Sequence, residues 1–181
     1  MTALVRPDLR LRESWASAVA EFDHHMDGSG DWEVEGFDTS ATGAPAVVDA
    51  LLAKADPATV LPEGRVHCTY LWITDGDGED EEFVGFLALR HSLTAWLLEE
   101  GGHIGYSVRP SRRREGHATR ALALAVRRAG ELGVERALVT CDEDNDASRR
   151  TIERCGGIYE DSRNGKRRYW IDTAEKAPEE D

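Results

Sequence analysis

Apolar residues at Leu11, Trp15, Val19 and Phe22 follow helical spacing and predict a first helix over about residues 9–25, with one buried face. A second, shorter helix is predicted over 44–55, with Pro45 in its first turn and Pro57 beyond its end. Between them, residues 26–43 carry Gly, Ser, Asp and Thr around Trp32, Val34 and Phe37. A stretch of that length is either a binding loop or an unstructured connector. The pattern then turns to β-formers. Strands are expected over 66–74 and 83–89, joined by the acidic turn Asp75–Asp80. Residues 92–100 read as a short helix or an ordered loop. A strand over 103–108, a helix over 116–132 closed by Gly133 and a strand over 135–141 follow. In that helix Ala121, Leu122, Ala125, Val126 and Ala129 form the stripe to be buried. Asn145 can cap a helix over 146–155, stopped by Gly156-Gly157. A hairpin of strands 158–162 and 166–172 turns at Asn164-Gly165. Residues 1–172 are expected to form one domain and 173–181 an acidic, disordered tail.

Charge singles out one segment. The 181 residues carry 35 acidic against 22 basic side chains, net -13, which argues against nucleic acid as a partner. Yet residues 109–128 hold seven arginines (109, 112, 113, 114, 120, 127 and 128) against the single acid Glu115. An anionic ligand is expected there. The three cysteines, Cys68, Cys141 and Cys155, imply no disulfide framework. No apolar run suits a membrane span and no secretory leader is read, so the expectation is a cytoplasmic protein. The acidic turn fails as a calcium loop, because the sixth and twelfth positions from Asp75 are Asp80 and Phe86. The neighbours His24-His25 read as an exposed pair, and no metal is expected.

The basic segment reads as strand, turn, helix: free amides at a helix N-terminus, with Gly116 and Ala118 allowing close approach, suit phosphate oxygens. P-loop and dinucleotide fingerprints are absent. Arg113-Arg114-Glu115-Gly116-His117-Ala118 is instead R-x-x-G-x-A. This resembles the coenzyme A pyrophosphate loop of the GNAT superfamily of N-acetyltransferases, written [QR]-x-x-G-x-[GA]. Val108-Arg109-Pro110 before it and Asn145-Asp146-Ala147-Ser148 after it are similar to the family's fourth-strand end and its N-x-x-[AS] motif. The stretch 103–110, after Arg90-His91, looks like a bacterial subgroup of acetyltransferases without assigned substrates. The resemblance covers about residues 66–172.

That resemblance implies an α/β (α+β) fold: a mixed, mostly antiparallel sheet flanked by helices, with the fourth and fifth strands splayed around acyl-coenzyme A. By position, Tyr106, Ser107 and Val108 would pair with the pantetheine arm. Arg113, Arg114, Glu115, Gly116, His117, Ala118 and Thr119 would hold the pyrophosphate. Asn145 and Ser148 would lie beside the cofactor. The implied activity is direct acetyl transfer from acetyl-CoA to a primary amine on a small molecule or peptide, with no membrane partner and a homodimer as one option. A module that binds coenzyme A or another anion without turnover is the alternative. Two family positions depart: Ile152 stands where many members place a proton-donating tyrosine, and Thr140 where some place a basic glutamate. Tyr106 or Tyr159 could donate the proton, His103 or Glu100 could accept one, and His91 could line the acceptor cleft.

Overall fold

The computed structural model describes residues 1–23 and 25–174. Seven strands form one sheet: β1 (Ala3–Val5), β2 (Cys68–Asp75), β3 (Glu82–Arg90), β4 (Ile104–Val108), β5 (Arg136–Asp142), β6 (Ile158–Arg163) and β7 (Lys166–Asp172). Their order is β1-β2-β3-β4-β5-β7-β6. Every neighbouring pair is antiparallel except β4 and β5, which are parallel and meet only at Ile104 and Val139. The sheet is therefore open in its middle, on the C-terminal side of β4.

Helices cover both faces. On one lie α3 (His117–Glu131) and α4 (Asp146–Arg154). The α3 stripe Ala121, Leu122, Ala125, Val126 and Ala129 is buried against Leu71, Ile73, Leu87 and Val139. On the other lie α1 (Arg12–Val19) and α2 (Ala44–Ala53), with Trp15, Val47 and Leu51 packed on Trp72, Phe83 and Phe86. Burial on both faces explains why β3 runs Phe83-Val84-Gly85-Phe86-Leu87-Ala88-Leu89 without polar alternation.

Several boundaries differ from the sequence pattern. The first helix ends at Val19, well short of residue 25. Glu21 turns away to pair with Arg109, and Phe22 folds back onto Phe86 with ring centroids 6.1 Å apart. A tertiary ion pair has overridden helical periodicity. Residues 26–43 are an ordered covering loop. Gly28 (φ +84°) lies so close to β4 that a Cβ there would stand 2.6 Å from the Gly105 carbonyl oxygen. Ser107 Oγ donates to the Asp27 carbonyl at 2.8 Å, and Phe37 packs edge-on against Trp15. Residues 97–101 form a π-helical turn. Thr173, read as the start of a disordered tail, is tied to β5: its Oγ1 donates to the Val134 carbonyl at 2.6 Å. The rest of that tail, 175–181, lies outside the described residues, as does His24. Among the described residues no helix is long and apolar enough to cross a membrane.

Candidate active site

The gap between β4 and β5 opens into a cleft of about 1390 Å³. It runs from the turn before α3, past the exposed edge of β4, to the loop over residues 27–33 on the opposite face. Arg90 and Arg109 amides bond to the His103 and Val84 carbonyls, so odd-numbered positions serve the ladder between β3 and β4. Alternation along the strand then turns the amides of Tyr106 and Val108 toward the gap. The Val108 carbonyl is already occupied, accepting from Arg113 Nε at 3.0 Å.

At the mouth of the gap the backbone forms an anion cradle. Arg114 (φ +68°) and Gly116 (φ +85°) both adopt left-handed conformations, separated by Glu115. Such alternation curls successive amides toward one point. The first backbone amide of this stretch to find a backbone acceptor is that of Arg120, which bonds to Gly116. Among the described residues the amides of residues 114–119 have no acceptor. Six open donors at the positive end of a fifteen-residue helix suit a pyrophosphate. Ala118 and Thr119 line the cleft beside them.

The arginines do not act as one anion-binding cluster. Arg109 is buried and pairs with Glu21 and, at 2.8 Å, with Glu82. Arg112 pairs with Asp75, Glu82 and Glu115 at 2.9, 2.6 and 3.0 Å. Arg120 donates to Thr2 Oγ1 and the Glu115 carbonyl, and Arg128 to the Leu4 carbonyl. These side chains stitch the turn to α1, β1 and the hairpin of β2 and β3. Among the described residues Arg114 alone of the basic turn has no partner, and it faces the cleft. Glu21 is held down at about 2 by the Arg109 hydrogen bond and further by Ser111, against the cost of burial. Glu115 faces Arg112 and His117 rather than the cleft. The His117 ring is buried, bonded to Thr2 Oγ1 at 2.9 Å and to Glu115 at 3.2 Å. Arg113 also lines the cleft, its Nε held by the Val108 carbonyl, whereas the Glu115 and His117 side chains bond within the protein and these two residues offer the cradle their open amides.

Tyr106 points to the α4 side, where its hydroxyl meets Ser148 Oγ at 2.8 Å. Burial pushes its pKa well above the usual tyrosine value, so it stays protonated. Asn145 caps α4, its Oδ1 accepting from the Ser148 amide at 3.0 Å. The cap leaves the Asn145 amide nitrogen available, and both residues line the cleft. Ile152 is fully buried in the core between α3 and α4. His103 is not a cleft residue: its Nδ1 accepts from the Leu138 amide at 2.9 Å, bridging β4 to β5. Burial, and then the charge of Arg90, lower its pKa to about 4. It is a neutral structural link at pH 7. His91 bonds to Thr69 Oγ1 at 2.8 Å, and Tyr159 to Ser162. Glu100 does line the cleft, with Oε1 3.2 Å from the Asn164 side-chain amide. Cys141 also lines it, but burial raises its pKa, as it does for Cys155. Both are poor nucleophiles at neutral pH.

A family model for the GNAT acetyltransferase domain matches residues 9–158. The chain belongs to the GNAT acetyltransferase family. This makes it an acyltransferase, and solved structures share its fold. Mycobacterium smegmatis RimJ, in complex with CoA-disulfide, is 22% identical, with a TM-score of 0.62 over 98% of this chain and 84% of that one. The microcin C7 self-immunity acetyltransferase MccE, in complex with acetyl-CoA and AMP, is 16% identical, with a TM-score of 0.61 over 94% and 92%. A Salmonella typhimurium acetyltransferase that modifies the N-terminal serine of ribosomal protein L7/L12 is 15% identical, with a TM-score of 0.55 over 94% of each chain. No curated protein sequence matches the chain.

The half of this GNAT cleft away from the turn before α3 was largely hidden in the sequence. Trp32, Glu33, Arg65, Arg90 and Trp96 all line it, yet they come from four separate segments. The one available signal was the pair of tryptophans in predicted loop regions, where large aromatics need a partner.

Proposed function

We propose that this GNAT protein transfers an acetyl group from acetyl-CoA directly to a primary amine, both held together in the cleft. The observation that carries this reading is the cradle of open amides at 114–119, set at the mouth of a cleft that continues to the opposite face of the sheet. Those amides, with Arg114, would bind the pyrophosphate. The free edge of β4 would pair with the pantetheine arm. When bound, the co-substrate supplies an activated thioester.

The residues around that position divide the work. The Val108 amide faces the gap and would stabilise the oxyanion that develops on the thioester carbonyl. Tyr106 keeps its proton and would pass it to the departing thiolate, with Ser148 orienting the hydroxyl. Glu100 would take the proton that the acceptor ammonium must lose before attack, directly or through water. No cysteine is poised to carry the acyl group, so transfer is direct. The second reading, a module that binds without turnover, draws support from Ile152, which has no proton to give. Thiol release from acetyl-CoA with a panel of amines separates the two. Amine-dependent release supports the enzyme; binding of acetyl-CoA with no release above the amine-free background supports the module.

A further inference from the structure

On the acceptor side of the cleft, Glu33 stands out. Its side chain is only 8% exposed, and its buried Oε2 accepts no hydrogen bond among the described residues. The nearest cation, Lys54 Nζ, is 3.5 Å from Oε2, an ion-pair distance without hydrogen-bond geometry. A buried carboxylate left in this state is costly unless a donor arrives. It lines the cleft, so a ligand can supply that donor.

Its surroundings restrict the ligand. Trp32, next in sequence, is 42% exposed, and Trp96, just before the π-helical segment, is 52% exposed. Their rings meet at 6.4 Å and a 60° angle, forming a continuous apolar wall beside Glu33. Arg65 stacks 4.2 Å over Trp32 and occupies that indole's cation-binding face. Arg90 and Lys166 also line the cleft, Arg90 Nη1 bonded to the Gly101 carbonyl at 2.8 Å and Lys166 paired with Asp142 at 2.5 Å, and the acids Asp27 and Glu100 line it elsewhere. At the tryptophan wall itself the charge is that of Arg65, so a second ammonium seated there would meet a cation, whereas an uncharged flat body would not.

We infer that Glu33, Trp32 and Trp96 form the acceptor subsite, and that it takes a primary monoamine carried on an aromatic or similarly flat apolar body. Glu33 receives the ammonium and the tryptophan wall receives the ring. The inference rests on the acetyl-transfer reading and narrows its acceptor to this class. Glu33 is a binding and positioning residue here, since it is the seat of the amine before reaction.

The test uses 2-phenylethylamine as probe, titrated into CoA-saturated protein and followed by tryptophan fluorescence. Controls are the uncharged 2-phenylethanol and the dication putrescine. Wild-type protein should bind the amine about tenfold or more tighter than either control, as expected for one charge-assisted pairing in a desolvated site. Glu33→Gln should abolish the preference for the amine over the alcohol. Trp96→Ala, at an exposed position that folding tolerates, should weaken both aromatic probes and leave putrescine unchanged. CoA binding, read separately as a rise in Tm, should be the same in all three proteins. Equal binding of amine and alcohol by the wild type, or an unchanged preference in Glu33→Gln, overturns the inference alone. Loss of CoA binding in the wild type would overturn the cofactor reading and this inference together.

Discussion

The hydroxyl of Tyr106 stays protonated through the neutral range, 2.8 Å from Ser148, where the fold's usual donor position is a buried isoleucine. Tyr106→Phe should therefore lower kcat while leaving KM for both substrates nearly unchanged. Because a thiolate is a fair leaving group, the loss should be at most ~10²-fold. Steady-state kinetics at pH 7 and 9 would check this. An unchanged kcat would leave water as the donor. His103 shows how far a residue's chemistry depends on its partners. Its sequence position at the head of a strand suggested a base, but the Leu138 amide holds its Nδ1 and burial keeps it neutral. Neither fact is written in the neighbouring sequence, because Leu138 lies on another strand.

At the scale of elements, α3 was the most legible part of the chain. Its stripe, its glycine start and its end within a residue or two of prediction all follow from local periodicity and capping. The R-x-x-G-x-A pattern coincides with the run of open amides because the left-handed conformation of Gly116 is itself local. A matched pair of substitutions tests that element. Gly116 and Gly133 both have positive φ, +85° and +82°, so glutamate strains the backbone alike at either site; at Gly116 a Cβ would also stand 2.8 Å from Arg120 Nη1, the end of a flexible side chain that can move aside. Only Gly116 lies at the cradle, while Gly133 closes the far end of α3. Gly116→Glu should weaken acetyl-CoA by ~30-fold or more through charge repulsion and blocked approach, and Gly133→Glu should change it little. Calorimetric titration reads both. Equal affinities would remove the pyrophosphate from this loop.

The first helix was the least legible element, because Glu21 belongs to an ion network and not to a helical face. That network makes a stability prediction. Glu21→Gln should cost about 1–3 kcal/mol at pH 7 by weakening the partner of buried Arg109. For a chain of this size that is a Tm loss of ~3–10 °C. Glu21 has a folded value of about 2 against 4.5 when unpaired, so its contribution is full above pH 4.5. It is lost as the pH falls toward 2. The Tm difference between wild type and variant should shrink over that window; a constant difference would show that Glu21 acts by packing alone.

For the whole molecule, composition foretold one globular domain and the motif order foretold a GNAT sheet, and both agree with the fold. The concentration of arginines was visible too, but its meaning was not. Their carboxylate partners, Glu21, Glu82 and Asp75, lie 27 to 88 residues away from the arginines they meet. Long-range pairing makes Arg109 and Arg112 a brace behind the backbone cradle, while Arg113 and Arg114 line the cleft. The half of the cleft away from the cradle was hidden for the same reason, since it is assembled only when the 26–43 loop, β2, β3 and the π-helical turn converge.

On the proposed function, brace and cradle together hold acetyl-CoA for transfer to an amine on the other side of the sheet. The most direct measurement is CoA thiol release with acetyl-CoA and an amine panel, with each product weighed by mass spectrometry. Release should depend on an amine and yield a product one acetyl group heavier than that amine, and Gly116→Glu should form far less of it at a subsaturating acetyl-CoA concentration. Acetyl-CoA that binds the wild type without amine-dependent release or an acetylated product would contradict that function.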